Sequence, residues 1–227
     1  MSKALGIAAI VIFAAFVVGH YLGLVWSPPE REMGDVYRIM YVHVPLMLMT
    51  MLAACFNFAG SVGYLANSDR RFDALGEASA EVCLLLGGVG IVLGSLWAKP
   101  TWGVWWDWDP RLTSLAIMLI LYSGYLALRK FVDDGERRAT WAAVSGIVIG
   151  VDVPVIHYSV RWWRTLHQMN SSPATVDGPM VFTLRWNISV MLALMVLFIA
   201  ARYQVARNAQ AREVELPELL PSNGVTP

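Results

Sequence analysis

Long apolar runs alternate with short polar breaks from one end of the chain to the other. The apolar stretches cover about residues 4–26, 44–66, 74–97, 112–128, 140–158 and 186–203. A helix that crosses a bilayer needs roughly 17–25 such residues, so the pattern predicts six transmembrane helices. The breaks between them carry turn chemistry, as in "SPPE", "NSDRRFD", "VDDGERR" and "SSPATVDGP". The expected fold class is therefore an all-α membrane protein, with one six-span domain over residues 1–203. A polar tail over 204–227, with three prolines, is expected to lie loose beyond it. The first run follows Lys3 but stays apolar for about 20 residues with no small-residue cleavage site before "WSPPE", which reads as a retained signal anchor.

Composition supports the membrane class. Hydrophobic residues make up 57% and charged residues 15%, against about 25% charged in a soluble domain. The formal net charge is zero, so no global field directs the chain toward nucleic acid or an acidic ligand. The local distribution is more informative. With six spans, the side holding both termini and the 67–73 and 129–139 loops carries ten Lys and Arg, against seven on the other side. The positive-inside rule then places both termini in the cytoplasm. Three glycine pairs, Gly19/Gly23, Gly90/Gly94 and Gly146/Gly150, have the spacing that lets neighbouring spans approach closely. Cys55 and Cys83 lie inside spans with no CxxC, and are expected to be small buried hydrophobes rather than redox or haem-attachment groups.

The tryptophans depart from an ordinary membrane protein. "WGVWWDWDPR" places four of them in ten residues, immediately after the third run. Interfacial belts collect tryptophan on both sides of a bilayer, and that explanation suits Trp26, Trp97 and Trp186. It does not account for the asymmetry, because the assigned topology leaves only Trp141 on the inner side. If the segment is helical, Trp102, Trp105, Trp106 and Asp109 share one face at i, i+3, i+4 and i+7. Trp108 adds a further indole to the segment. Asp107 and Arg111 then stand at i, i+4 as a local ion pair. A shelf of indoles beside carboxylates suits a planar, mostly apolar ligand with a polar edge, and haem fits that description.

Haem iron takes axial ligands, most often histidine, and the chain has only four. His20, inside the first span, reads as a packed residue. His43 in "YRIMYVHVP" opens the second span beside Pro45, a residue tolerated in a first helical turn. His157 in "DVPVIHYS" closes the fifth span near Asp152 and reads as a packing or hydrogen-bonding partner of that residue. His167 in "RWWRTLHQ" lies in the largest outer loop, with Trp163 and Arg164 at i−4 and i−3. On a helical face those three would place an indole, a guanidinium for a propionate and an imidazole together. Spacing selects His43 and His167 as the axial pair. Arg161, Arg164, Arg185 and Lys99 are the open choices for holding the propionates.

The segments "WGVWWDWDPRLTS", "YRIMYVHVP" and "HYSVRWWRTLHQ" resemble those of the CcmC family, the haem-handling membrane subunit of bacterial cytochrome c maturation. The likeness extends over essentially all six spans. It implies a multi-pass protein of the bacterial inner membrane whose tryptophan-rich loop holds b-type haem in transit on the periplasmic side. It also implies axial ligands matching His43 and His167. The implied partners are a membrane-anchored periplasmic haem chaperone that binds haem covalently through its own histidine, a small single-span subunit and a two-protein ATP-driven transporter. No GxxxxGK[ST] loop is present, so ATP hydrolysis belongs to a partner and the chain reads as a transfer subunit, not an enzyme. Two other functions remain open on the residues alone. A secondary transporter would use Glu77, Glu81 and Asp152 as intramembrane acids, and an adaptor would use the tryptophan loop to bind another protein.

Overall fold

The structure is a computed structural model and describes residues 3–167 and 177–219. Among these residues it is helical with no strand, and six helical segments are long and apolar enough to cross a membrane. The first, α1, runs Lys3–Tyr21 and ends in a π-turn, Leu22–Trp26. A short 3-10 turn, Asp35–Ile39, leads into α2, Met40–Asn67. Then follow α3 (Arg70–Trp102), α4 (Pro110–Phe131), α5 (Gly135–Gly150), α6 (Asp152–Trp162) and α7 (Gly178–Leu219). The fifth span is α5 and α6 together, broken at Val151. Pro154 explains the break, because its ring clashes with the carbonyl four residues earlier and it has no N–H to donate.

Three of the spans are started by an aspartate cap. The Asp69, Asp109 and Asp134 carboxylates accept from first-turn backbone N–H groups of α3, α4 and α5, each satisfying donors that a helix start leaves unpaired. Helix α2 begins four residues before the apolar run does. Pro45 therefore lies inside it, in its second turn, rather than in a first turn as the sequence suggested.

The bundle is organised around α2. Two of the three glycine pairs face it: added Cβ atoms on Gly90 and Gly94 would meet Met47 and His43, and on Gly146 and Gly150 would meet Ser61 and Phe58. The remaining pair divides, with Gly19 against Asn187 of α7 and Gly23 against Tyr41 of α2. Helix α1 is otherwise peripheral and is held to α7 by Trp186 Nε1 donating to the Ala15 carbonyl (3.1 Å) and Asn187 Nδ2 to the Gly19 carbonyl (3.2 Å). Cys83 is buried, as expected; Cys55 instead lies on the outward face of α2, where its side chain is exposed.

One end of the bundle is an ionic knot. Arg129, buried on α4, donates to Asp73 (2.6 Å) and Glu77 (2.7 Å) of α3. Arg202 Nη2 donates to Glu81 Oε1 at 2.6 Å. Two of the three acids that an ion path would need are thus neutralised by arginines. The tail also departs from expectation, because α7 continues unbroken past residue 203. Gln210 is buried and donates to Asp73 Oδ2 at 2.9 Å, while Glu213 pairs with Arg70 and Arg138. Residues 220–227 of the expected tail lie outside the described residues. Ending the chain after Tyr203 should therefore lower stability by about 1–3 kcal/mol, the cost of leaving buried partners unsatisfied. Thermal unfolding in detergent measures it, and an unchanged midpoint would show the extension to be ornamental.

Candidate functional site

The end of the bundle opposite the ionic knot carries the aromatic segment. Asp73 and Trp102 stand 29 positions apart on one helix, about 43 Å at 1.5 Å per residue, so the two ends are chemically separate. Helix α3 stops at Trp102 because Gly103 takes a left-handed conformation, φ +79°, and its N–H caps the Lys99 carbonyl at 3.0 Å. From Gly103 to Asp109 the chain is irregular.

This overturns the helical shelf. Trp102 alone remains on the helix; Trp105 and Trp108 are exposed, Trp108 at 77%, and Trp106 packs edge-on against Trp108 at 5.8 Å. Lys99 lies 6.0 Å above the Trp105 ring and donates to the Gly103 carbonyl. Asp107 is exposed, and its i, i+4 pairing with Arg111 does not form because the intervening backbone is not helical. The second expected helical face fails likewise. Helix α6 ends at Trp162, and Trp163 is extended, so Trp163 and Arg164 are exposed and do not share a face with His167. Trp163 packs instead on Trp162, at 5.8 Å.

Asp109 does what helical periodicity was expected to do. Its carboxylate is buried, and Oδ1 accepts the Arg111 N–H at 2.9 Å while Oδ2 accepts the Leu166 N–H at 3.0 Å. The Thr165 hydroxyl donates to the same carboxylate, and Thr165 Oγ1 also accepts the His167 N–H at 3.0 Å. One side chain thus caps α4 and fastens the 163–167 segment to the tryptophan loop. His167 Nδ1 comes within 3.4 Å of Asp109 Oδ1, and the His167 ring meets Trp102 edge-on at 5.1 Å. Burial pushes Asp109 up, but the Thr165 hydroxyl, His167 and the backbone donors outweigh it and hold the carboxyl below its ordinary value. Burial also lowers His167, Arg111 reinforces this, and Asp109 only partly opposes it, which leaves the imidazole neutral at pH 7, the form that binds metal.

His43 projects from α2 toward the same place. Its Nδ1 lies 3.1 Å from the Gly90 carbonyl of α3, and its ring meets Trp97 edge-on at 5.8 Å. A carbonyl only accepts, so Nδ1 carries the proton and Nε2 keeps its lone pair. His43 lies within electrostatic range of His167 and Arg111, and Arg111 within range of Asp109 and His167. The structure therefore brings together His43, His167, Trp102 and Asp109 from two spans and two loops.

Three contributors were not found in the sequence. Trp97, assigned to an interfacial belt, packs on His43 with its Nε1 buried and unpartnered. Arg111, assigned to an Asp107 pair, faces the histidines. Thr165 links Asp109 to His167, a tertiary contact that no local pattern announces. Of the other histidines, His20 Nδ1 donates to the Phe16 carbonyl (2.9 Å) and the ring packs on Phe16, as expected. His157 is exposed and packs on Tyr158 at 4.9 Å, not on Asp152.

Six spanning helices whose one end gathers two imidazoles, a buried carboxylate and a tryptophan loop define a multi-pass membrane protein with a built site at one face. The chain belongs to the CcmC family: the family profile described as Heme exporter protein C matches residues 1–217. It is 38% identical over 193 residues to Heme exporter protein C of Escherichia coli K12, covering 84% of this chain and 77% of that one. It is 33% identical over 205 residues to the protein of that name from Bradyrhizobium diazoefficiens, covering 88% and 76%. The counterpart in Haemophilus influenzae is 34% identical over 192 residues, 83% of this chain and 78% of its own.

Proposed function

We propose that this protein takes part in haem export for cytochrome c maturation by holding b-type haem at the periplasmic face of the bacterial inner membrane, with His43 and His167 as axial ligands. The observation that carries the reading is the convergence of two imidazoles whose Nδ1 atoms are both turned toward protein acceptors. His43 Nδ1 donates to Gly90 and His167 Nδ1 faces Asp109. Each Nε2 is left for iron, the usual arrangement in which an acceptor behind the ring orients a metal-bound histidine. The names of the relatives supply the cargo.

The surroundings fit that cargo. Of the seven buried side-chain atoms without a hydrogen-bond partner among the described residues, Trp97 Nε1 and Thr113 Oγ1 lie at this end of the molecule beside the histidines' acceptors. Buried donors without partners are costly, and a ligand with carboxylates satisfies them. Arg111 is the guanidinium whose charge acts on both imidazoles and is the choice for a propionate, ahead of Arg161, Arg164, Arg185 and Lys99. The exposed Trp105 and Trp108 and the half-buried Trp106 form the open rim, with Trp163 and Arg164 beside it, through which haem passes to a periplasmic haem chaperone. A small single-span subunit and ATP-driven transporter subunits complete the system. The chain supplies ligation and orientation, not catalysis, and two imidazoles leave iron no open position for oxygen chemistry.

Two measurements test this. Detergent-purified protein supplied with haem should show the visible spectrum of low-spin, bis-imidazole iron; a spectrum identical to free haem in the same micelles would refute the site. Cysteine introduced at Thr101 should react with an impermeant thiol reagent in intact cells, because the residue bias places this loop outside and both termini in the cytoplasm. Labelling only after lysis would reverse the orientation.

A further inference from the structure

Helix α3 meets His43 through three residues spaced one turn apart, Gly90, Gly94 and Trp97. The Gly90 carbonyl accepts from His43 Nδ1 at 3.1 Å. A Cβ on Gly94 would lie 2.9 Å from His43 Cε1, 3.6 Å from Nδ1 and 3.7 Å from Nε2, so the Cε1 edge of the imidazole enters the space where that side chain is missing. Trp97 closes the third side, its ring edge-on to the imidazole at 5.8 Å. Resting on the haem-ligand reading above, we propose that the Gly90–Gly94–Trp97 face of α3 is a seat for His43, fixing which ring nitrogen faces the iron and at what angle.

Contacts of the ring itself separate this seat from ordinary close packing of helices. Gly90 and Gly94 have the spacing that brings two spans together, and for Gly90 that is what the structure records, since its missing Cβ admits the end of Met47. At Gly94 the space is taken by the imidazole. The ring cannot yield there without cost, because moving away from a methyl group added at this position either stretches the bond to Gly90 or drives the ring into Trp97. The Gly90 carbonyl also has to remain reachable although it lies within a helix. It has two lone pairs, and the second is open to His43 only where no side chain covers that face of α3. Trp97 adds a further role. Its indole Nε1 is buried without a partner, and it stands beside the imidazole, where an acidic edge of the bound haem would accept it. These residues position the ligand; none of them binds iron.

The test compares Gly94→Ala with Gly88→Ala in the full-length protein loaded with haem. Both put one methyl on the same helix, but at Gly88 nothing lies within 4 Å of it. Gly94→Ala should lose the low-spin bis-imidazole spectrum and retain roughly tenfold less haem, the scale on which residues behind a metal ligand act. Added imidazole should restore much of that spectrum, which repair of a merely misfolded bundle would not do. Gly88→Ala should match the parent. Trp97→Leu, which keeps bulk but removes the ring and its N–H, should broaden the spectrum and speed haem loss, and it serves if Gly94→Ala does not accumulate. A parental spectrum in Gly94→Ala or Trp97→Leu, or equal loss in Gly88→Ala, overturns the seat. His43→Ala is the separate check on the reading beneath it: if that variant keeps the bis-imidazole spectrum, His43 is not a ligand, whatever the glycines do.

Discussion

His167→Ala protein should be recovered from the membrane in normal amount, yet retain less than about a tenth of the haem and show none of the low-spin spectrum. The side chain lies beyond the end of α6 and its ring contact and acidic partner, Trp102 and Asp109, stand at span ends rather than in the bundle core, so the bundle has no reason to fail. On the proposed ligation, what disappears is one of two axial nitrogens, together with the ring that Trp102 and Asp109 hold in place. Imidazole in solution should enter the vacated position and return part of the spectrum, since the tryptophan rim and His43 remain. His157→Ala, by contrast, should behave as the parent, because His157 faces outward on Tyr158 and away from the pair. Loss of the spectrum in His157→Ala with retention in His167→Ala would reassign this ligand.

Asp109→Ala should be nearly as damaging although Asp109 is not itself a ligand. The substitution removes a helix cap, worth about 0.5–2 kcal/mol. It also strips the acceptor from the Leu166 N–H, a net hydrogen bond of about 0.5–1.5 kcal/mol at this partly exposed position. Together these release the 163–167 segment from the tryptophan loop, and with it His167. Since about 1.4 kcal/mol is tenfold in an equilibrium, haem retention should fall by roughly that factor. Asp109→Asn keeps one acceptor oxygen and should fall between alanine and the parent. Haem per protein after gel filtration measures both, and equal retention by Asp109→Ala and the parent would show that His167 is held without Asp109.

The spans were legible because the bilayer imposes a simple rule on any helix that crosses it, and apolar length satisfies it visibly. That His43 and His167 come together was legible for a related reason: few polar groups occur at span ends without cause, and only two of the four histidines flank the aromatic segment. What the sequence could not show was how the loop is held. Periodicity suggested a helix through Trp102, Trp105, Trp106 and Asp109, but Gly103 in a left-handed turn ends α3 first, and Asp109 acts through contacts with Thr165 and Leu166, far along the chain. Trp97 was assigned by its place at a span end, a fair rule for a lone indole, and its contact with His43 depends on how α2 and α3 cross. The tail misled for the opposite reason. Its polarity suggested looseness, whereas Gln210 and Glu213 complete an ionic knot whose other members lie on α3, α4 and α5.

Everything proposed for this site depends on His43 and His167 together supplying the iron ligands at one face of the bundle. Electron paramagnetic resonance of the ferric haem-loaded protein tests it most directly, because the signal distinguishes two strong nitrogen ligands from one. The parent should give a low-spin signal, each single alanine variant a high-spin one, and the double variant His43→Ala/His167→Ala no protein-specific signal at all. A low-spin signal that survives in the double variant would contradict the assignment of both ligands.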